Sequence, residues 1–292
     1  MSLSQGQYSS NISHFANSLQ SNAVTTNTSG SSFTLWIVGN FGSTTAWTVS
    51  DTFGNTYTLE NQQTYNSGNG TIWQYDCQNG AGGANHQITA TLTAGGHGTF
   101  GIMTQEVAAS TGSSTIDVSN SGTATNFVGG SGNTLNGSAV TTTSTGDLLI
   151  SVVGGTTTAT GTDTITDATG WNNMLISLED SSSSLICGLS VTTESSTGTY
   201  NDIYATAGTG GTHQLALMTV AYKGSGGGGS NTNLTPGAGG LAAGGNSPTD
   251  ISGTVLVPHT ARPREICGVE RRLLVPSRKI FLPVRRPLQL RP

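Results

Sequence analysis

From Met1 to Tyr222 the chain contains neither lysine nor arginine. A body without one cation cannot neutralise phosphates, which excludes nucleic-acid binding by these residues. Long apolar runs are missing too. No stretch approaches the roughly 18 residues of a membrane span, so no membrane insertion is expected. Helix formers are scarce, and no segment reads as a long amphipathic helix. Cysteine is limited to Cys77, Cys187 and Cys267, without CxxC spacing. That odd count favours free thiols in a reducing compartment, with a Cys77–Cys187 disulfide as the alternative. Met1–Gln20 has no basic stretch followed by an apolar one, so cytosolic synthesis without a secretory signal is the expectation.

What is present is a turn- and strand-forming mixture. Charged residues make up 9% of the 292, hydrophobic residues 34%, and much of the remainder is Gly, Ser, Thr and Asn. That composition predicts an all-β protein of short strands joined by Gly- and Asx-based turns.

The net charge of −5 hides a partition. Residues 1–222 carry twelve acids, Asp51 to Asp202, and no Lys or Arg, hence −12. All ten basic residues lie from Lys223 onward, where Asp250, Glu265 and Glu270 reduce the balance to +7. A basic tail of this kind suits an acidic protein surface or nucleic acid.

The body repeats itself. NSLQSNAVTTNTSG (17–30) and NTLNGSAVTTTSTG (133–146) share seven of fourteen residues at an offset of 116. FTLWIVG (33–39) answers DLLISVVG (147–154), and TVSDTFGN (48–55) answers TITDATGW (164–171). TFGIMTQEV (99–107) answers HQLALMTVAY (213–222), aligning Met103 with Met218. Four blocks in one order at nearly one offset imply a duplication. The expected fold is a duplicated antiparallel β-sandwich, Ig-like or jelly-roll, followed by a flexible linker and an extended repeat tail. The two copies fold either as separate sandwiches or as one pseudo-symmetric unit. The expected divisions are an N-terminal segment (1–16), repeat 1 (17–108), a connector (109–132), repeat 2 (133–223), a Gly-rich linker (224–250) and the tail (251–292).

Within repeat 1, Phe33, Leu35 and Ile37 alternate with Thr34, Trp36 and Val38, so both faces of that strand are apolar and both should be buried. Further strands are expected at 71–77, 86–92, 99–107, 148–153, 172–178, 185–192 and 213–222. Asp51 and Gly54, and their counterparts Asp167 and Gly170, read as tight turns of hairpin type, the Asp closing an Asx turn and the Gly taking positive φ. A calcium loop at Asp51 is the weaker reading, because calcium takes six to eight oxygens.

The tail repeats in sevens: REICGVE, RRLLVPS, RKIFLPV and RRPLQLR from Arg264. Arg264, Arg271, Arg278 and Arg285 share a register; Arg272, Lys279 and Arg286 occupy the next position. Pro276, Pro283 and Pro287 exclude a coiled coil. Each unit is a short extended segment reset by proline. Such a segment has to bury Leu273, Val275, Ile280, Phe281 and Leu282 against another molecule. These residues are the candidate assembly anchor. Phe281 is the only aromatic among the arginines, so no base-stacking platform is visible.

Chemistry is not legible. His14, His86, His97, His213 and His259 fit no zinc motif. There is no nucleophile elbow, no phosphate loop, and no acid pair on one strand face. No enzymatic activity, cofactor or metal is expected. Trp36, Trp47, Trp73 and Trp171 are read as core residues, with a glycan-stacking groove as the alternative.

The run SDTFGNTYT, then TIWQYDCQNG and HQITATL, resembles β-sandwich modules of phage virion proteins and large bacterial surface proteins, through Asp51, Gly54, Asn55, Thr56, Tyr57, Trp73 and Tyr75. The second copy departs from the pattern, with Trp171 where Asn55 stands. The tail is similar to Arg–aliphatic–Pro tandem repeats of small phage-associated proteins. The resemblance implies a structural or adhesive role without catalytic residues. The expectation is a virion component (capsid decoration, head fibre or tail-associated) that is made in the host cytoplasm and partners its own copies or a capsid or tail protein. The alternatives are a surface adhesin or module binding a host-surface glycan, and an extracellular filament subunit.

Overall fold

The computed structural model describes residues 3–93, 98–109, 113–121, 125–128, 133–137, 139–157, 164–167, 171, 174–180, 184–207 and 212–225. All of them fall within one compact unit, Met1–Asn233. They form an all-β structure with no α-helix among the described residues. In chain order the first copy holds β1 (Leu3–Ala16), β2 (Ser18–Gln20), β3 (Ser31–Gly39), β4 (Trp47–Asp51), β5 (Thr58–Tyr65), β6 (Gly70–Gly80), β7 (Ile88–Leu92) and β8 (Gly98–Ala109). The second holds β9 (Ser113–Ser121), β10 (Thr125–Val128), β11 (Asn133–Asn136), β12 (Val140–Thr141), β13 (Asp147–Thr157), β14 (Thr164–Asp167), β15 (Met174–Asp180), β16 (Leu185–Glu194), β17 (Thr199–Tyr200), β18 (Ile203–Ala207) and β19 (Thr212–Ser225). Every strand expected from the sequence overlaps one of these.

The duplication is a duplication of topology. The first copy builds an inner sheet β1-β8-β3-β6-β5 and an outer sheet β2-β7-β4. The second builds an inner sheet β10-β19-β13-β16-β15, with β9 also on β19, and an outer sheet β11-β18-β14. Strand for strand the orders coincide, and all pairings are antiparallel. Residues read as an N-terminal segment supply the edge strand β1. Those read as a connector supply β9 and β10, the matching edge. Each copy therefore begins earlier in the chain than the internal similarity suggests, because an edge strand tolerates sequence drift that a central one does not. The linker likewise starts later, since β19 runs to Ser225.

Four layers result. Alternation along each inner strand sends one set of side chains outward and the other inward. Phe33, Leu35, Ile37, Trp73, Phe100 and Ile102 pack outward against Leu19, Trp47, Ile88 and Ala90 of the first outer sheet. Val153, Ile186, Leu215 and Leu217 pack outward against Leu135, Ile165 and Tyr204 of the second. The inward sets of both copies form one continuous core containing Trp36, Val38, Ile72 and Met103 together with Ile150, Val152, Leu189, Met218 and Val220. Every residue of β3 is buried, and β13 is nearly so, because each is the central strand of a sheet covered on both faces. The inner sheets face each other with β1 against β15 and β5 against β9. Edge meets opposite edge, as a local two-fold between duplicated sheets requires.

Where β3 crosses β13 the backbone packs closely. A Cβ at Gly154 would stand 2.5 Å from Val38 Cγ1. We expect Gly154→Ala to cost about 1–3 kcal/mol through overpacking. Urea unfolding measures it, and Val38→Ala in the same chain should recover part of the loss; a neutral Gly154→Ala would mean the sheets yield there.

The turn after β4 differs from the hairpin reading. β4 pairs with β7, and β5 pairs with β6. Asp51–Tyr57 therefore carries the chain from the outer sheet to the inner one. Turn chemistry is local and was readable; the strand partner is set by distant residues.

Candidate functional site

The most polar cluster lies at that crossing. Asp51 Oδ1 accepts from Phe53 N and Asn55 N, each at 3.0 Å, the first closing an Asx turn. Gly54 follows at φ +74°, a left-handed conformation that glycine adopts without strain. Asp51 Oδ2 accepts from Asn55 Nδ2 at 2.6 Å, Tyr57 Oη at 3.0 Å and His86 Nε2 at 2.9 Å. Asn55 in turn holds Ala81 through both its amide atoms. Thr26 Oγ1 lies 3.0 Å from His86 Nδ1 and accepts from Gly83 N at 3.0 Å. A carboxylate only accepts, so Nε2 carries a proton.

Asp51, His86 and Thr26 are the residue types of a nucleophilic relay. The surroundings give them another role. The Asp51 side chain is 0% exposed and that of His86 is 2% exposed. Phe33 and Phe53 meet the imidazole edge-on. The adjoining cavity, lined by Phe33, His86, Thr104, Gln105 and Glu106, is about 10 Å³, room for one water and no substrate. The cluster ties together the loop after β2, the end of β4 and the loop before β7. Burial raises the Asp51 pKa, but hydrogen bonds from Asn55, His86 and Tyr57 outweigh it and hold the group below the usual carboxylate range.

The same use of acid recurs. Glu106 is 3% exposed; its Oε1 accepts from Asn27 N and Ser31 Oγ, both at 2.8 Å, and its Oε2 from Gln7 N at 3.0 Å. Asp117 accepts from Thr143 N at 2.6 Å and from Lys223 Nζ at 2.9 Å. Asp76 is buried between the inner sheets and accepts from Tyr222 Oη at 2.7 Å. Of the eight acids whose side chains are described, Asp51, Asp76, Glu106, Asp117, Asp147 and Asp202 have buried side chains; Glu60 and Glu194 do not. Among the described residues, the body's charge is thus largely internal. With no Lys or Arg before Lys223, Asp51, Asp76 and Glu106 take their donors from backbone N–H, hydroxyls, the Asn55 amide and one imidazole. The outward surface of the first outer sheet is correspondingly uncharged, with Thr48, Ser50 and Ser18 exposed.

Asp167 ends β14 opposite Tyr204 as Asp51 ends β4 opposite Ile88; its side chain and Gly170 lie outside the described residues. So do the anchor candidates Arg264, Arg271, Arg272, Leu273, Val275, Arg278, Lys279, Ile280, Phe281, Leu282, Arg285 and Arg286. Sequence reading missed His86, Thr26 and Glu106 as partners in one cluster, because they converge from separate strands and loops. The four tryptophans are core residues, at most 7% exposed. Trp171 packs with Val140, Leu149 and Ala221, a hydrophobic substitute for the Asn55 side of the first copy's turn. Cys77 and Cys187 are free and buried, and burial pushes their thiols up to about 11 and about 12. Among the described residues no group of three or more His, Cys, Asp or Glu is placed to hold a metal ion, and no helix is long and apolar enough to cross a membrane.

The chain matches no protein-family model, no curated protein and no solved structure.

Proposed function

We propose that this chain is a non-enzymatic structural protein of a bacteriophage virion, a capsid decoration, head-fibre or tail-associated component. Its four-layered body projects from the particle, and its basic tail anchors it. The observation that carries this reading is the division of labour along the chain. Most of the body's described carboxylates are buried, while nine of the ten cations lie between Arg262 and Arg291, on and just before the Arg–aliphatic–Pro segments. Apolar side chains so interleaved with cations bury themselves only against a partner. Arginines on such a segment pair with partner carboxylates.

The test is a chain ending at Asn233, after the body's last strand and after Lys223, which holds Asp117. It should unfold at the same urea midpoint as the full chain and be missing from particles purified from the producing cells. Particles that incorporate both forms equally would sink the anchor role.

A second reading, a surface adhesin or glycan-binding module, has one observation in its favour. Phe15 is 73% exposed and held at φ +50° at a bulge in β1, a costly conformation for a bulky residue and one that marks functional positions. A glycan array probed with the body and with Phe15→Ala separates the two readings.

A further inference from the structure

The duplicated inner faces have equivalent frames and different chemistry. Val38 pairs with Ile72 and Gly101 as Gly154 pairs with Cys187 and Ala216. One row along, Trp36 with Gln74 and Met103 answers Val152 with Leu189 and Met218. In the next row Thr34, Asp76 and Gln105 answer Ile150, Val191 and Val220. All of these polar residues are buried. The first face is therefore polar along one row where the second is wholly aliphatic.

Two contacts show how the difference is used. At the crossing of the central strands Val38 fills the space that Gly154 leaves, where even a Cβ would stand 2.5 Å from Val38 Cγ1. Beyond it, Tyr222 Oη donates to Asp76 Oδ1 at 2.7 Å. The position equivalent to Tyr222 is Val107, and the one equivalent to Asp76 is Val191, both in the same core. Two first-half faces brought together in this geometry would set Val38 against Val38 and leave two buried carboxyls facing Val107 without the Tyr222 donor. Two second-half faces would leave a hole at Gly154 and two tyrosine hydroxyls facing Val191 with no acceptor. Each defect is absent from the mixed pair.

We propose that the inner face of residues 3–109 is a docking surface specific for the inner face of residues 113–225 of the same chain, and closed to its own kind. A steric knob at Val38 and a single buried polar pair, Asp76–Tyr222, encode the choice. Specificity of this sort rests on penalties in the wrong pairing as much as on contacts in the right one. The surface does not depend on the tail or on the virion reading.

The experiment starts from the full chain with residues 110–112 replaced by a protease cleavage sequence. The folded protein is cut, unfolded in denaturant and refolded. Native mass spectrometry then separates the three pairings by mass. The mixed pair should exceed either like pair by at least about 100-fold, tenfold for each of the two polar groups left unpaired in a like pair. A statistical distribution, or halves that do not rejoin, would overturn the proposal. In the same format, Asp76→Val removes the buried carboxyl from the first half, and first-half pairs should rise at least tenfold. An unchanged distribution from the refolded variant would remove Asp76 from the code. The ratio in the unsubstituted chain decides the specificity by itself.

Discussion

Asp51→Ala should lower the stability of the body by about 3–5 kcal/mol, on the scale of breaking a buried charged network. The carboxylate receives five hydrogen bonds, from Phe53 N, Asn55 N, Asn55 Nδ2, Tyr57 Oη and His86 Nε2. Alanine leaves the imidazole and the phenol without their acceptor in a place water reaches poorly, and each orphaned donor costs about 1–3 kcal/mol. The pH dependence has a definite sign. The folded pKa lies below the model-peptide value of 3.8. The native state therefore binds fewer protons than the unfolded one near that value, so this stabilisation is complete above it and is lost as pH falls through the folded pKa. Urea unfolding at pH 7 and at successively lower pH checks both parts. A loss under about 1 kcal/mol at pH 7 would show that the turn holds without its acid.

Asp76→Asn should act in the opposite direction. Burial between the sheets raises this carboxyl to about 7; the Tyr222 hydrogen bond offsets part of the shift, and the charge of Glu60 adds to it. Between about 4 and about 7 the folded state holds a proton that the unfolded state has released, so stability declines as pH rises through this window and stays low above it. At about 1.4 kcal/mol per pKa unit, the accumulated penalty at pH 8 is on the order of 4 kcal/mol. Asparagine keeps the acceptor for Tyr222 without a charge. The variant should match the wild type near pH 4, exceed it by several kcal/mol at pH 8, and lose this segment of the pH profile. Equal stability of the two at pH 8 would mean that Asp76 ionises without cost.

These acids also reshape the functional argument. A body with twelve acids and no cation before Lys223 looks like a negative surface. Most of the described ones are interior acceptors, and the outward face of the first outer sheet exposes the uncharged hydroxyls of Thr48, Ser50 and Ser18. Steering between an acidic body and a basic tail is thereby weakened. Under the proposed anchor role, the arginines are therefore better matched to carboxylates on a different protein.

Much of this was legible in the residues themselves. The composition fixed the all-β class, the internal similarity exposed the duplication, and Phe33 to Val38 announced a strand covered on both faces. Such features depend on local propensity and on the alternation of side chains, which a linear string preserves. Asp51 and Gly54 declared a turn for the same reason. The string does not carry which distant strands become neighbours. The partner of β4, the edge roles of residues 3–16, 113–121 and 125–128, the meeting of Asp51 with His86 and Thr26, and the contact of Val38 with Gly154 all arise from pairings across tens of residues. Those pairings are chosen by the burial of whole sheet faces, a collective quantity that no single segment encodes.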